Sequence, residues 1–280
     1  MNTIAMKNFL IFGNGWIGNK FKEYLNAPLS QVNITDKVAV QKELNQYKPD
    51  VVINTAGKTG KPNIDWCEDH KLETIDSNIT GALVLLKECT DKNILLVHLS
   101  SGCIFSGASP KNGGFTEEDE PNPVSFYSWT KMMADDVLKK FPTLIVRLRM
   151  PVDSIPSPRN LITKLAGYKN IIDVENSVTI IDDFLGAVKS LIEKKKTGIY
   201  NITNPGTAKH KDILQWYKEI VDPNHEYNLI TADELFSKGL AKAGRSNCIL
   251  NTKKLENEGI HLRDAKTAII ECLKEYRKRL

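Results

Sequence analysis

A chain of 280 residues is long enough to bury a sizeable core in one or two domains. Its 41% hydrophobic and 26% charged residues are ordinary for a soluble globular protein, and a formal charge of +4 without a Lys/Arg block argues against nucleic acid or a membrane surface as partner. No apolar run approaches the roughly 20 residues of a membrane span, and Met1 to Lys7 carries no signal-peptide core. Cys67, Cys89, Cys103, Cys248 and Cys272 are scattered without metal-ligand spacing. Reduced thiols, no metal and a cytoplasmic location are therefore expected.

Phe9 to Phe12 is a short apolar run that reads as a buried parallel strand. Gly13, Gly15 and Gly18 follow as G-x-G-x-x-G, and a helix is expected from Ile17, with Phe21 and Leu25 four apart. Next come a strand over Gln31–Thr35, a helix over Val38–Tyr47 and a strand over Val51–Asn54. Asp76–Cys89 reads as a helix with Ile79, Leu83 and Leu86 on one face, and Ile94–Leu99 as a strand ending at Ser100 and Ser101. A turn-rich segment, Gly107–Pro123, precedes a helix from about Ser125 to Lys140 and a strand over Thr143–Arg147. Short apolar runs alternating with helices indicate an α/β protein, a Rossmann-type doubly wound parallel sheet.

After Met150, Pro151, Pro156 and Pro158 break regular structure and mark a crossing into a second lobe. Helices are expected over Asn160–Tyr168, Thr179–Lys194 and His210–Val221, a strand over Gly198–Thr203, a short strand near Tyr227, and helices to the end. The expected division is a dinucleotide-binding domain, 1–150 with 176–203 returning to it, and a smaller, mostly helical substrate lobe, 151–175 with 204–280.

The glycines each have a physical purpose in this setting. Gly13 permits a tight turn, Gly15 lets backbone N–H groups approach a pyrophosphate, and Gly18 allows close packing of helix on strand. The helix start, at Trp16 and Ile17, offers unpaired N–H donors and partial positive charge to an anion. An acidic residue about 20 positions on would bind the ribose 2′-hydroxyl of NAD. Asn33 stands near that place, and the nearest carboxylate, Asp36, comes slightly late and is placed to meet the adenine instead. With no carboxylate to repel a 2′-phosphate, the reading points to NADPH and leaves NADH open.

Tyr127 and Lys131 form Y-x-x-x-K, which puts both side chains on one helix face, a turn apart. An ammonium there favours the phenolate and fits the tyrosine to exchange a proton with a carbonyl or alcohol oxygen. With eight tyrosines in a lysine-rich chain, about one such pair arises by chance; its place at the opening of a helix after the fourth strand is what singles it out. Ser101 lies at the carboxyl end of that strand, where open α/β sheets bind ligands. Its hydroxyl is positioned to hold a substrate carbonyl oxygen or, as a turn serine, to bond nearby backbone.

The stretches GNGWIG, Ser101 and YSWTK resemble the extended short-chain dehydrogenase/reductase family and its Ser/Thr-Tyr-Lys triad. The likeness is closer to dTDP-4-dehydrorhamnose reductases, and closest to bifunctional nucleotide-4-keto-6-deoxyglucose 3,5-epimerase/4-reductases. It is carried by NTAGKTGKPNIDWCE (54–68), SGCIF (101–105), RMPVDSIPSPRNLITK (149–164), GIYNITNPG (198–206) and RSN (245–247). The resemblance implies catalysis by Ser101, Tyr127 and Lys131, with Cys103 and Lys164 as the epimerising acid/base pair. Cys103 lies two residues past Ser101, so in an extended conformation both side chains face one way; a buried inert thiol and a solvated lysine are the alternatives the bare sequence allows. The resemblance also implies cofactor contacts at Asn54, Ala56 and Gly57, a structural role for Asn78, and substrate contacts at Asn63, Asp65, Trp66, Arg159, Asn160 and Arg245. For Arg147 and Arg149 structural pairing and function stand level, and no role is read for the five histidines.

The implied activity converts UDP- or dTDP-4-keto-6-deoxyglucose to a nucleotide-L-rhamnose, a step in rhamnose biosynthesis. No dehydratase segment precedes the glycine turn, so a separate 4,6-dehydratase is expected upstream. Family resemblance implies a homodimer. A monofunctional dTDP-4-dehydrorhamnose reductase and a non-catalytic NADP-binding regulatory subunit are the rival readings; the intact Ser101-Tyr127-Lys131 set speaks against the second.

Overall fold

The computed structural model describes residues 7–280, so all but the last residue of Met1–Lys7, the stretch read as carrying no signal-peptide core, lies outside the described residues. The chain divides into two compact units. Unit 1 holds residues up to Ser100, Phe126–Val146 and Lys196–Ile199; unit 2 holds Ser101–Ser125, Arg147–Lys195 and Tyr200–Leu280. Segments 101–125 and 176–195 thus belong to unit 2. No helix among the described residues is long and apolar enough to cross a membrane.

Unit 1 carries β1 (Phe9–Phe12), α1 (Trp16–Leu25), β2 (Leu29–Ser30), α2 (Lys37–Tyr47), β3 (Val51–Asn54), α3 (Trp66–Asp69), α4 (Lys71–Ile75), α5 (Gly81–Asp91) and β4 (Leu95–Ser101), followed by α6 (Phe126–Leu138) and β5 (Leu144–Leu148). In unit 2 the elements are β6 (Pro151–Val152), α7 (Leu161–Gly167), β7 (Asn170–Ile172), β8 (Glu175–Asn176), β9 (Thr179–Ile180) and α8 (Ile181–Glu193). After β10 (Gly198–Asn201), a strand that runs from unit 1 into unit 2, come β11 (Ala208–Lys209), α9 (His210–Ile220), β12 (Asn228–Ile230), α10 (Ala232–Ser237), α11 (Lys253–Asn257) and α12 (Ala265–Arg277).

The sheet order is β10-β5-β4-β3-β1-β2, and β1 pairs in parallel with both β2 and β3. The chain therefore reverses direction across the sheet at β1 and β3, and the crevice beyond their carboxyl ends is where such sheets bind ligands. Apolar β1 and β3 are buried almost throughout because helices cover both faces of a parallel sheet. Leu10, Phe12, Val52, Leu85, Leu96, Leu138 and Ile145 share one core cluster, with Val40 and Leu44 from α2. Unit 2 has its own core, in which Leu165, Leu214, Ile269 and Leu273 pack together.

The structure moves three expected elements. The second strand is Leu29–Ser30, not Gln31–Thr35. Asn33 accepts the Thr35 N–H through Oδ1 and the Asp36 N–H through its carbonyl, a local turn that competes with strand pairing. The helix expected over Asp76–Cys89 is preceded by α4 and widens into a π turn over Asp76–Thr80 before α5. Thr179 and Ile180 pair with β6, so the helix expected from Thr179 starts at Ile181.

Candidate active site

The turn between β1 and α1 is built for a close neighbour. Gly13 has φ +103°, and a Cβ there would lie 2.3 Å from the Ala56 nitrogen. A Cβ on Gly18 would lie 2.0 Å from the Gly13 carbonyl oxygen. Backbone thus meets backbone at both positions, and only glycine fits. Gly15 differs: it is exposed, and a Cβ there would meet nothing within 4 Å. It is also the N-cap of α1, with no side-chain cap and no acidic residue in the first turn. Open space before uncapped N–H donors at Trp16 and Ile17 fits an anion such as a pyrophosphate. Across the crevice, Thr55 Oγ1 donates to the Phe12 and Gly13 carbonyls, and Asn54 Oδ1 accepts from Ala56 N–H; Gly57 is exposed beside them.

The shift of β2 changes which residues stand at its carboxyl end. That place belongs to Gln31, whose Oε1 accepts from Asn14 Nδ2 at 2.6 Å. Neither is a carboxylate, so no negative charge stands there against a 2′-phosphate. Asp36 instead caps α2, accepting the Ala39 N–H at 3.0 Å, although it stays exposed. The signal for Gln31 was Pro28, which already marks the turn out of α1.

Tyr127 and Lys131 lie on α6, as the spacing requires, and both are buried. Lys131 Nζ donates to the Leu99 carbonyl at 2.7 Å and lies 3.2 Å from His98 Nε2. Burial brings the lysine down to about 8, with Asp135 acting in the opposite sense. His98, beside the lysine, is a residue that sequence reading passed over. Its ring is buried, Nδ1 lies 3.1 Å from Asn54 Nδ2, and burial, followed by the charge of Lys131, holds it well below the usual histidine range. A histidine inside the apolar run Leu95–Leu99 was the available signal, because buried polar side chains need partners. Asn78, carried on the π turn, accepts from Lys58 N–H and donates to Thr130 Oγ1, which supports the structural role expected of it. Asn63 Oδ1 accepts from Asp65 N–H, and Trp66 stacks on His70 at 3.9 Å with Lys58 5.6 Å from its ring centre.

In unit 2, Ser101 ends β4 and is 5% exposed. Gly102–Ile104 forms a 3-10 turn, so the extended conformation assumed for Ser101 and Cys103 does not hold; the Cys103 N–H donates to Ser101 Oγ instead. The sulfur finds a different partner. Arg149 Nη1 donates to Cys103 Sγ at 2.9 Å, while Nη2 donates to Asn176 Oδ1 and the Ser246 carbonyl. Arg149 thus fixes a positive charge beside the half-buried thiol, which the sequence had left undecided. Met150, the next residue, has a φ of +42°. Arg147 packs over Phe105, 5.4 Å from the ring centre.

Lys164 shares this neighbourhood. Burial first, and the charge of Arg159 second, lower its pKa, while Cys103 acts in the opposite sense. A lysine so placed carries more neutral amine near neutrality than a solvated one. Cys248 stays a thiol: burial pushes it up, and Sγ donates to the Gly102 carbonyl. Asn160, expected at the substrate, is taken up by the fold itself. It is 0% exposed and caps α7; Oδ1 accepts from Ile162 and Asp153 N–H groups, and Nδ2 donates to the Asp153 and Ile155 carbonyls. Nothing of the amide is left for a ligand. Arg245 Nη1 donates to the Ala243 carbonyl at 3.3 Å and is half-buried.

Residues 17–278 match the RmlD substrate binding domain. The chain is 39% identical, over 97% of its length and 94% of the relative's, to a bifunctional dTDP-4-dehydrorhamnose 3,5-epimerase/dTDP-4-dehydrorhamnose reductase of Arabidopsis thaliana. It is 35% identical to a trifunctional UDP-glucose 4,6-dehydratase/UDP-4-keto-6-deoxy-D-glucose 3,5-epimerase/UDP-4-keto-L-rhamnose-reductase of the same plant, matching 98% of this chain but 43% of that one. Among solved structures, a UDP-rhamnose synthase of Acanthamoeba polyphaga mimivirus superposes with a TM-score of 0.89 at 35% identity, over 96% of this chain and 99% of the other.

Proposed function

The chain belongs to the RmlD substrate binding domain family, and on that premise we propose that it is an NADPH-dependent 4-reductase of nucleotide-4-keto-6-deoxy sugars that also performs the preceding 3,5-epimerisation. The observation that carries the second activity is the grouping of Cys103, Arg149 and Lys164 in one compact unit. Likeness to enzymes that carry both activities in one chain supports it.

A 4-ketone acidifies the hydrogens at C3 and C5. Lys164, with its lowered pKa, takes a proton as the neutral amine, and Cys103 returns one as the thiol, with Arg149 balancing charge left on the sulfur. After each exchange solvent takes the proton from Lys164 and returns one to Cys103, so that two exchanges invert C3 and C5 with no net change in protons. Bound NADPH would supply the hydride for C4. Ser101 holds the C4 oxygen, and Tyr127 gives it the proton that completes the alcohol, with Lys131 below it on α6. Trp16, Ile17 and Gly15 meet the pyrophosphate; Asn54, Ala56 and Gly57 line the opposite side, and Gln31 with Asn33 faces the adenosine end. Asn63, Asp65 and Trp66 meet the sugar nucleotide, and Arg159 and Arg245 suit its diphosphate. The product is a nucleotide-L-rhamnose, with UDP or dTDP as the nucleotide, each of which is named among the relatives. A 4,6-dehydratase activity must supply the ketone; in the trifunctional relative the name places that step in the same protein. A cytoplasmic homodimer completes the reading.

The test is Cys103→Ala in deuterated buffer. Deuterium uptake at C3 and C5 of the keto-glucose substrate should fall on the order of 10²-fold or more, while reduction of pre-epimerised substrate persists. Uptake at wild-type level would take Cys103 out of the epimerisation.

A further inference from the structure

The polarity of one buried hydrogen-bond chain in unit 1 decides how Lys131 handles its proton. It starts at Ala56, whose backbone N–H lies 3.0 Å from Asn54 Oδ1. A backbone N–H can only donate, so the oxygen of Asn54 faces Ala56 and its NH₂ faces His98 Nδ1 at 3.1 Å. An amide NH₂ also only donates, so Nδ1 must accept. A neutral imidazole has one accepting and one donating nitrogen, and burial keeps this ring neutral. The hydrogen therefore sits on Nε2 and points at Lys131 Nζ, 3.2 Å away.

An ammonium has three donors and no acceptor. It meets Nε2–H donor to donor, whereas the neutral amine offers a lone pair to it. Moving the hydrogen to Nδ1 relieves Lys131 only by setting that hydrogen against the NH₂ of Asn54. Every arrangement with a charged lysine thus holds one opposed pair of donors, and the arrangement with a neutral lysine holds none.

We infer that His98 is a positioning residue for the reduction: locked by Asn54 and Ala56, it presents Nε2–H to Lys131 and makes that lysine a ready proton donor rather than a fixed charge. The other groups facing Lys131 are accounted for. The Leu99 carbonyl accepts from it in either form. Asp135, one turn on along α6, favours the ammonium, and its carboxylate also accepts from Ser100 Oγ–H. Tyr127 lies one turn back on the same helix. The catalytic consequence rests on the reading above: when Tyr127 passes its proton to the substrate oxygen, a lysine N–H breaks, the tyrosine O–H re-forms, and His98 closes on the vacated lone pair. Lys131 then regains a proton from solvent.

The tautomer is read without substrate or cofactor, by long-range ¹H–¹⁵N correlation on the full chain labelled at histidine. His98 is assigned by the loss of its signals in His98→Gln or, should that variant not fold, by the proximity of its ring N–H to Lys131. The expected result is the Nε2–H tautomer at pH 10, where Lys131 is the neutral amine, with the Nε2 signal inflecting near pH 8 as the lysine loses its proton, and no such inflection in Lys131→Met. An Nδ1–H tautomer at pH 10 or an imidazolium at pH 7 overturns the inference, as does an inflection that is absent or that survives in Lys131→Met. A preparation that oxidised no NADPH would defeat the proposed reaction and leave this result standing.

Discussion

Lys131→Met separates the energetic cost of a buried lysine from its use. The side chain is buried, and its pKa falls from the ordinary 10.5 to about 8. Because the folded-state value lies below the unfolded one, the unfolded chain binds more protons between these two pH values. Wild-type stability attributable to this group therefore rises with pH through that window and is lowest below it. A fall of about 2.5 pH units at about 1.4 kcal/mol each amounts to about 3 kcal/mol. Methionine keeps an apolar stem of similar length and removes the charge. It also leaves the Leu99 carbonyl without its 2.7 Å donor, a cost of about 1–3 kcal/mol that does not depend on pH. At pH 7 the two effects nearly cancel. Their pH dependence does not. Urea unfolding of both proteins at pH 7 and pH 10.5 should show the stability of Lys131→Met, measured against wild type, falling by about 3 kcal/mol at the higher pH. A difference that is the same at both pH values would refute the reasoning, because the lysine would then fold with its ordinary proton affinity.

Other residues give sharper functional outcomes. Tyr127→Phe should slow NADPH oxidation by about 10²- to 10⁴-fold while deuterium uptake at C3 and C5 continues; equal loss of both would put the tyrosine in a shared binding step. Gln31→Asp places a carboxylate at the end of β2, and the KM for NADPH should rise about 10-fold or more while that for NADH does not. Equal change for both cofactors would move the 2′-phosphate away from Gln31. Asn160→Ala should cost about 0.5–2 kcal/mol of stability by removing the α7 cap and leave the KM for the sugar nucleotide unchanged. A raised KM at unchanged stability would restore Asn160 to the substrate.

Sequence periodicity resolved the elements that bury both faces or one stripe. Val51–Asn54 and Phe9–Phe12 read correctly to the residue because they are continuous apolar runs closed by turn residues. Local side-chain bonds defeated it at Asn33, where an Asx turn replaces the expected strand. The π turn over Asp76–Thr80 leaves no trace in apolar spacing, since it inserts within a helix that continues on both sides. The Gly102–Ile104 turn undid the argument that Ser101 and Cys103 face alike, although the family likeness still directs attention to both. Arg149 and His98 stayed illegible for a common reason. Their partners are remote in the chain: Arg149 reaches Ser246 across 97 residues, and His98 reaches Asn54 across 44. A guanidinium beside a thiol and a ring between an amide and an amine come only from the fold.

The central claim, one chain performing both inversion and reduction, meets its most direct test in a single incubation. Purified protein, UDP-4-keto-6-deoxyglucose and NADPH are combined in deuterated buffer, and the product is identified by NMR. A UDP-L-rhamnose carrying deuterium at both C3 and C5 is the result predicted here. A 6-deoxy sugar nucleotide with C3 and C5 unlabelled and uninverted, or NADPH left unoxidised, would contradict it.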